Sequence, residues 1–214
     1  MESPLRDLPI CKKCSGSGWV PTKQAGLVRF RYCDCVTASK NRIRLTSIGI
    51  PPVYQDCTLA NFQGSKETIK KVRQYIKDFD GSQGLIIFGK DDIQQMQLAI
   101  AVLKEINSKS WWYTCRFVSW PELVMSLRAS YTGAEGSEAE ILKPLTVPVL
   151  LFLSGIGYEY KKSDWSQSIL YYLVNSRFEQ KRGLILTLAP GSTVEKLGSR
   201  IEQRINEMCR RVSL

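Results

Sequence analysis

No histidine occurs among these 214 residues, which removes imidazole general bases, serine and cysteine triads built on His, and His-ligated metal centres. Long apolar runs are missing as well. Apolar residues make up 43% of the chain, yet no stretch approaches the ~18 uninterrupted residues of a membrane span. The first seven residues carry charges and a proline in place of an apolar signal region, so export is not expected and a cytoplasmic protein is. Acid is in short supply: 30 Lys and Arg against 20 Asp and Glu give a formal charge of +10. That excess suits a polyanionic partner, nucleic acid first, with a merely soluble basic surface as the plainer account.

In a reducing compartment the seven cysteines are thiols or metal ligands sooner than disulfides. Four are grouped: Cys11-x-x-Cys14, a gap of 18 residues, then Cys33-x-Cys35. They supply four sulfurs for tetrahedral Zn2+; a redox dithiol and uncoordinated thiols are the other readings. Gly16 and Gly18 permit the positive φ of a tight turn, and Trp19-Val20 and Leu27–Tyr32 read as two short strands. Residues 1–36 are therefore expected to form a zinc-ribbon-like module. A site of four cysteines is closed, hence structural, and implies no metal catalysis. Cys57, Cys115 and Cys209 stand alone and read as small buried hydrophobes. Residues 37–50 form a basic linker carrying Lys40, Arg42 and Arg44, either a solvated helix face or a nucleic-acid contact. Pro51 and Pro52 stop any helix there.

Residues 51–214 alternate strand and helix, which implies a parallel sheet covered on both faces. Helices are expected near Ser65–Phe79, Gln97–Ile106, Pro121–Ala129 and from Ser163 to about Lys181. A polar loop at Ser130–Ser137 and a short helix ending at Lys143 follow Ala129. Strands are expected at Leu85–Gly89, Tyr113–Ser119, Val147–Leu153 and Leu184–Leu188. Short helices at Thr193–Leu197 and Ile201–Cys209 precede a final strand in Arg211–Leu214. The centre of this α/β layout, of P-loop-NTPase type, is the apolar strand ending at Gly89 and followed by Lys90-Asp91-Asp92-Ile93-Gln94-Gln95-Met96. A phosphate-binding loop sits in such a frame, but it needs glycines, a Lys for the β/γ-phosphates and a Ser/Thr for magnesium. Gln95 and Met96 stand where Lys and Ser/Thr would be. Trp111, Trp112 and Tyr113 open the second strand and read as packing residues or as a stacking surface for bases.

The order of segments resembles the AAA+ ATPases of the DnaC/DnaI helicase-loader and IstB transposition-helper family. The resemblance rests on Cys11-x-x-Cys14-x-Gly16-x-Gly18-Trp19 with Cys33-x-Cys35, and on Gly49-Ile50-Pro51-Pro52-x-Tyr54-x-Asp56-x-Thr58-x-x-Asn61-Phe62. Phe117-Val118, Pro121-Glu122-Leu123, Gly157, Trp165, Arg177-Phe178 and Leu197-Gly198-Ser199-Arg200-x-x-x-Arg204 extend it to the end of the chain. It implies an AAA+ fold and makes the departures legible. The glycine-rich loop, its Lys and its Thr become Lys90–Gln94, Gln95 and Met96. The acidic pair closing the Walker-B strand becomes Ser154-Gly155. In the sensor strand Thr187 persists, but Leu188-Ala189 replaces Ser-Asn. By resemblance Gly89, Lys90, Gln95, Met96, Ser154 and Ala189 mark a degenerate nucleotide site. Arg200 and Arg204 mark a possible arginine finger, which acts in a neighbour's site. Ser154 reads as a small strand-end residue and not as a nucleophile, there being no His to activate it.

The expectation is a non-hydrolysing adaptor in DNA replication or transposition. Its partners by resemblance are a replicative helicase or another AAA+ subunit, with DNA touched by the zinc module and linker. Zn2+ is its structural cofactor and no ATP or Mg2+ is expected. The rival expectations are an ATP-binding protein with a site rebuilt around Lys90 or completed by a partner, and a scaffold in an unrelated process whose old cleft is filled by its own side chains.

Overall fold

A computed structural model describes residues 11–24, 27–110, 112–131, 133, 136–158 and 163–214; Trp111 lies outside them. The chain divides into two compact units at Ser47/Ile48.

In the smaller unit, β1 (Trp19–Gln24) and β2 (Leu27–Tyr32) pair antiparallel, with Trp19 opposite Tyr32 and Gln24 opposite Leu27. The two rings of the first pair stack with centroids 4.2 Å apart. Helix α1 (Asp34–Ile48) starts inside the second cysteine pair, so the basic segment with Lys40, Arg42 and Arg44 continues the cysteine module's own helix. It stops where Gly49 turns to φ +94° ahead of Pro51.

The larger unit is a five-stranded parallel sheet. Its strands are β3 (Gly84–Phe88), β4 (Cys115–Ser119), β5 (Leu150–Ile156), β6 (Gly183–Leu188) and β7 (Cys209–Ser213), in the spatial order β4-β5-β6-β3-β7. Helices α2 (Lys66–Asp78), α3 (Asp92–Lys109), α4 (Trp120–Ser130), α5 (Glu138–Thr146), α6 (Asp164–Glu179) and α7 (Ser199–Met208) alternate with them. Successive strand residues face opposite sides. Ile86, Leu151, Leu153, Leu184 and Leu186 pack with α4 to α7, and the intervening Leu85, Ile87, Phe152 and Ile185 turn to the side where α2 and α3 lie. Burial on both faces is why these strands read as continuous apolar runs. Side-chain caps set the helix starts: Ser65, Asp91, Ser137 and Ser163 each accept a backbone N–H from the first turn.

Several boundaries differ from expectation by a few residues, and two of these differences bear on the site. Helix α3 begins at Asp92, five residues before Gln97, because Asp91 caps it. Strand β5 begins at Leu150 and runs on through Ser154 and Gly155 to Ile156, since Ile156 is fully buried and pairs with Leu188 across a register shift. Ser154-Gly155 therefore lies inside the strand, at an irregularity, and not beyond its end. The short helix before it passes Pro144 and closes at Thr146, leaving Val147 exposed.

Candidate functional site

The cysteine cluster is built by turns. After Cys11 the chain folds back with Ser15 N–H on the Cys11 carbonyl at 2.8 Å and Ser17 N–H on that of Cys14 at 2.9 Å. Ser15, Gly16 and Gly18 all take positive φ there. Cys33 N–H reaches the Gly18 carbonyl at 2.8 Å, bringing the second pair under the first. The four sulfurs lie within 4.8 Å of one another, with Cys11 to Cys33 at 3.8 Å and Cys14 to Cys35 at 3.5 Å. A tetrahedron with Zn–S near 2.3 Å has edges of roughly 3.8 Å, so the donor set fits Zn2+ in size and softness. Backbone N–H groups of Lys13 and Cys14 lower the Cys11 thiol to about 7, and that of Gly18 lowers Cys14. The neighbouring Cys33 and Cys14 thiols push Cys35 up to about 12. Of the other cysteines, Cys115 is buried, while Cys57 and Cys209 are half-buried.

The second candidate lies at the carboxyl ends of β3 to β6, where the connections leave the sheet in opposite directions and α/β folds place their ligands. Between β3 and α3 stand three residues only, Gly89, Lys90 and Asp91. Asp91 Oδ1 accepts the Gln94 N–H at 3.0 Å, and its carbonyl accepts that of Gln95 at 3.1 Å. Helix N-termini bind anions through such N–H groups; here the chain's own carboxylate takes one. Gln95 is buried and donates from Nε2 to the Gly89 carbonyl at 3.1 Å, while its Oε1 is buried without a partner. On the far side of Gly89, Leu214 N–H donates to the Phe88 carbonyl at 2.9 Å, and a Cβ on Gly89 would come within 3.0 Å of the Leu214 side chain.

Below the turn is a cavity of about 170 Å³ lined by Tyr54, Asp92, Gln95, Met96, Ser119, Ser154, Gly155, Tyr158 and Thr187, among others. Gly155 takes φ +74° and gives its N–H to Thr187 Oγ1 at 3.0 Å. The Tyr158 hydroxyl donates to Asp92 Oδ2 at 2.8 Å. Burial, then the Asp92 carboxylate, pushes this phenol up to about 12.

Of the residues singled out in the sequence, Gln95, Met96 and Ser154 share this cavity. Gly89 forms the turn above it. Lys90 points to solvent, and Ala189 is buried behind, its N–H on the Ile156 carbonyl at 2.8 Å. Arg200 and Arg204 both lie on α7. Arg204 is half-buried with its guanidinium 4.3 Å over the Phe178 ring and Nε on Asn175 Oδ1 at 3.2 Å. Arg200 is exposed at the rim of a surface depression with Asp164, Gln167 and Tyr171. Trp112 is exposed, and Tyr113 packs edge-on against Phe79.

Sequence reasoning named Asp92 only as a charge that repels phosphate, and passed over its partner Tyr158 and the work of Arg177. Asp91 before a helical pattern is an N-cap signal that would have placed α3 correctly. Nothing local marks Arg177, which is fully buried and donates five hydrogen bonds to the carbonyls of Leu145, Pro148, Val149 and Gly183. Burial lowers its pKa to about 9, so it stays charged at neutral pH.

No family model matches the chain. Among curated proteins it is 25% identical over 164 residues to the replicative helicase loader DnaC of Escherichia coli K12, an alignment covering 73% of this chain and 66% of that protein. The chain thus spans a little under two thirds of that relative's length. Among solved structures it is similar to the DnaC helicase loader, with a TM-score of 0.65 at 20% identity over 77% of this chain and 99% of that one. It is also similar to DnaI, with a TM-score of 0.61 at 14% identity over 76% and 93%. The fold is that of these AAA+ domains, and the likeness in sequence is to the curated helicase loader.

Proposed function

We propose that this chain is a non-hydrolysing, DnaC-like AAA+ adaptor of the cytoplasm that acts in DNA replication by holding a replicative helicase or another AAA+ subunit. One observation carries the loss of hydrolysis: the strand-to-helix turn is three residues long and its helix terminus is capped by Asp91. A triphosphate at that place would meet the Asp91 and Asp92 carboxylates with no lysine opposite, as Lys90 faces solvent. The cavity beneath, about 170 Å³, is smaller than the ~300 Å³ at which small-molecule sites begin. Position 154, where a Walker-B carboxylate would hold magnesium, is a buried serine. If each lost group costs on the order of 10²-fold, no useful turnover remains.

Partner binding rests on the likeness to helicase loaders together with an exposed Arg200 on α7. A DNA contact rests on the basic helix α1 and its exposed Arg44. Zn2+ held by Cys11, Cys14, Cys33 and Cys35 would fold the small unit and take no part in chemistry.

The test is calorimetric titration of the zinc-loaded chain with ATP and ADP in magnesium, beside size-exclusion chromatography with a hexameric replicative helicase. Expected are no heat of binding up to millimolar nucleotide and a co-eluting complex. Micromolar affinity for nucleotide would overturn the dead-cleft half of the reading, and independent elution from helicase and AAA+ subunits alike the adaptor half.

A further inference from the structure

Strand β2 alternates basic and apolar residues, Val28-Arg29-Phe30-Arg31-Tyr32. In a two-stranded ribbon the period of two separates them. Val28, Phe30 and Tyr32 share one face with Trp19 and Pro21, which pair opposite Tyr32 and Phe30, and Arg29 and Arg31 share the other with Val20 and Thr22. The apolar face lies open. Phe30 is 67% exposed, Val28 59%, Tyr32 54% and Trp19 45%. A domain core would have hidden such rings, and a row of them on a small ribbon marks a binding surface.

Charge says what kind of ligand covers it. Between Cys11 and Ile48 stand eight Lys or Arg and one acid, Asp34, and that acid is already shared by Lys13 and Arg31 at 3.0 Å each. One zinc bound as a tetrathiolate would subtract about two charges and leave the unit strongly positive. A second copy of the chain would bring the same excess against the face, and like charges disfavour that contact. A polyanion that also carries flat apolar rings answers both features.

We propose that the aromatic face of the β1–β2 ribbon is a stacking platform for single-stranded DNA, with Phe30 as its central ring. The proposal rests on the replication reading for the choice of DNA over RNA; the platform itself rests on the ribbon. Phe30 and Tyr32 sit about 7 Å apart along the strand, so each can take its own base. The Tyr32 ring is already held against Trp19 at 4.2 Å with planes 25° apart, which lowers the ordering cost on binding. Arg29 and Arg31 stand on the opposite face, Arg31 tied to Asp34, and they add to the positive field that draws a polyanion to the ribbon. Duplex DNA, whose bases are stacked on one another, offers no rings to this face.

The experiment is fluorescence anisotropy of the full zinc-loaded chain with labelled oligothymidylate of about 20 nucleotides, longer than one such platform covers. A duplex and an oligouridylate of equal length are run beside it, with no helicase or nucleotide present, so the outcome is independent of the adaptor reading. Phe30→Ala is expected to weaken single-strand binding by about tenfold, Phe30→Trp to restore it, and duplex to bind more weakly than single strand. Unchanged affinity in a Phe30→Ala chain that retains its zinc would overturn the proposal, as would equal affinity for duplex; tighter oligouridylate binding would overturn the assignment to DNA. Should Phe30→Ala lose its metal, photocross-linking of the unsubstituted chain to an iodouracil oligonucleotide decides. Adducts within residues 27–32 support the platform, and adducts confined to residues beyond 48 refute it.

Discussion

Gln95 donates from its side-chain nitrogen to the carbonyl of Gly89 at 3.1 Å, so the residue standing where the resemblance places a phosphate-binding lysine latches the turn above it. It is 1% exposed. A side chain so placed is part of the core, and a lysine put there is expected to make no phosphate site.

Gln95→Lys combined with Met96→Thr is expected to gain no measurable nucleotide affinity. Three residues between β3 and α3 leave no backbone cradle, and Asp91 still occupies the helix terminus. The lysine is instead expected to cost about 2–4 kcal/mol, from burying an unpaired charge and losing the latch. Urea denaturation and calorimetric titration on the same preparation check both halves.

Arg177 ties the end of α5 to the beginnings of β5 and β6 through the carbonyls of Leu145, Val149 and Gly183. Arg177→Met keeps much of the volume and leaves those carbonyls short of donors. The expected loss is about 3 kcal/mol or more, and Arg177→Lys recovers little of it because one ammonium cannot reproduce a planar fork of donors. Chemical denaturation of the three proteins measures this.

Arg204→Ala and Arg200→Ala are expected to separate stability from association. The first removes a guanidinium packed over Phe178 and bonded to Asn175 and lowers stability by about 1 kcal/mol. The second, at an exposed position, leaves the unfolding midpoint within error and weakens complex formation with the partner subunit. Thermal unfolding paired with size-exclusion chromatography tells them apart; a destabilised Arg200→Ala chain would contradict the assignment.

Chelation or acid is expected to unfold the small unit selectively. Ligand sulfurs bind metal as thiolates, so zinc affinity falls as pH falls and protons compete for sulfur. One zinc per chain should be released, with loss of the Trp19–Tyr32 stacking signal in near-ultraviolet circular dichroism, while the cooperative unfolding of residues 48–214 is retained. Cys33→Ser, at a fully buried sulfur, should mimic chelation at neutral pH. Zinc retained by the Cys33→Ser chain would refute the four-sulfur site.

The legible parts of this protein were those whose cause is local or periodic. Apolar runs such as Leu184–Leu188 and Leu150–Leu153 announce strands buried on both faces, and a serine cap at Ser163 announces α6. Cysteine spacing announced a cluster that the turns then close to within 4.8 Å. Where several weak causes compete, the reading slipped. Lys90–Met96 looked like a loop because its residues are polar, whereas Asp91 caps a helix whose first turn starts at Asp92 and whose Gln95 is buried. Ser154-Gly155 looked like the end of a strand, but the pairing of Ile156 with Leu188 carries the strand past a bulge.

The sequence by itself determined the alternation of strand and helix, the absence of imidazole chemistry, the four-sulfur donor set and the positive charge gathered around it, because composition and short-range periodicity act through neighbours along the chain. Only the tertiary structure decided that the strand-to-helix turn is closed from within, that Arg177 works as an internal tie, that Arg204 is packed while Arg200 is presented, and that one face of the small ribbon is a row of open rings. Each of these depends on which distant backbone reaches a side chain first, and that is a property of the folded core.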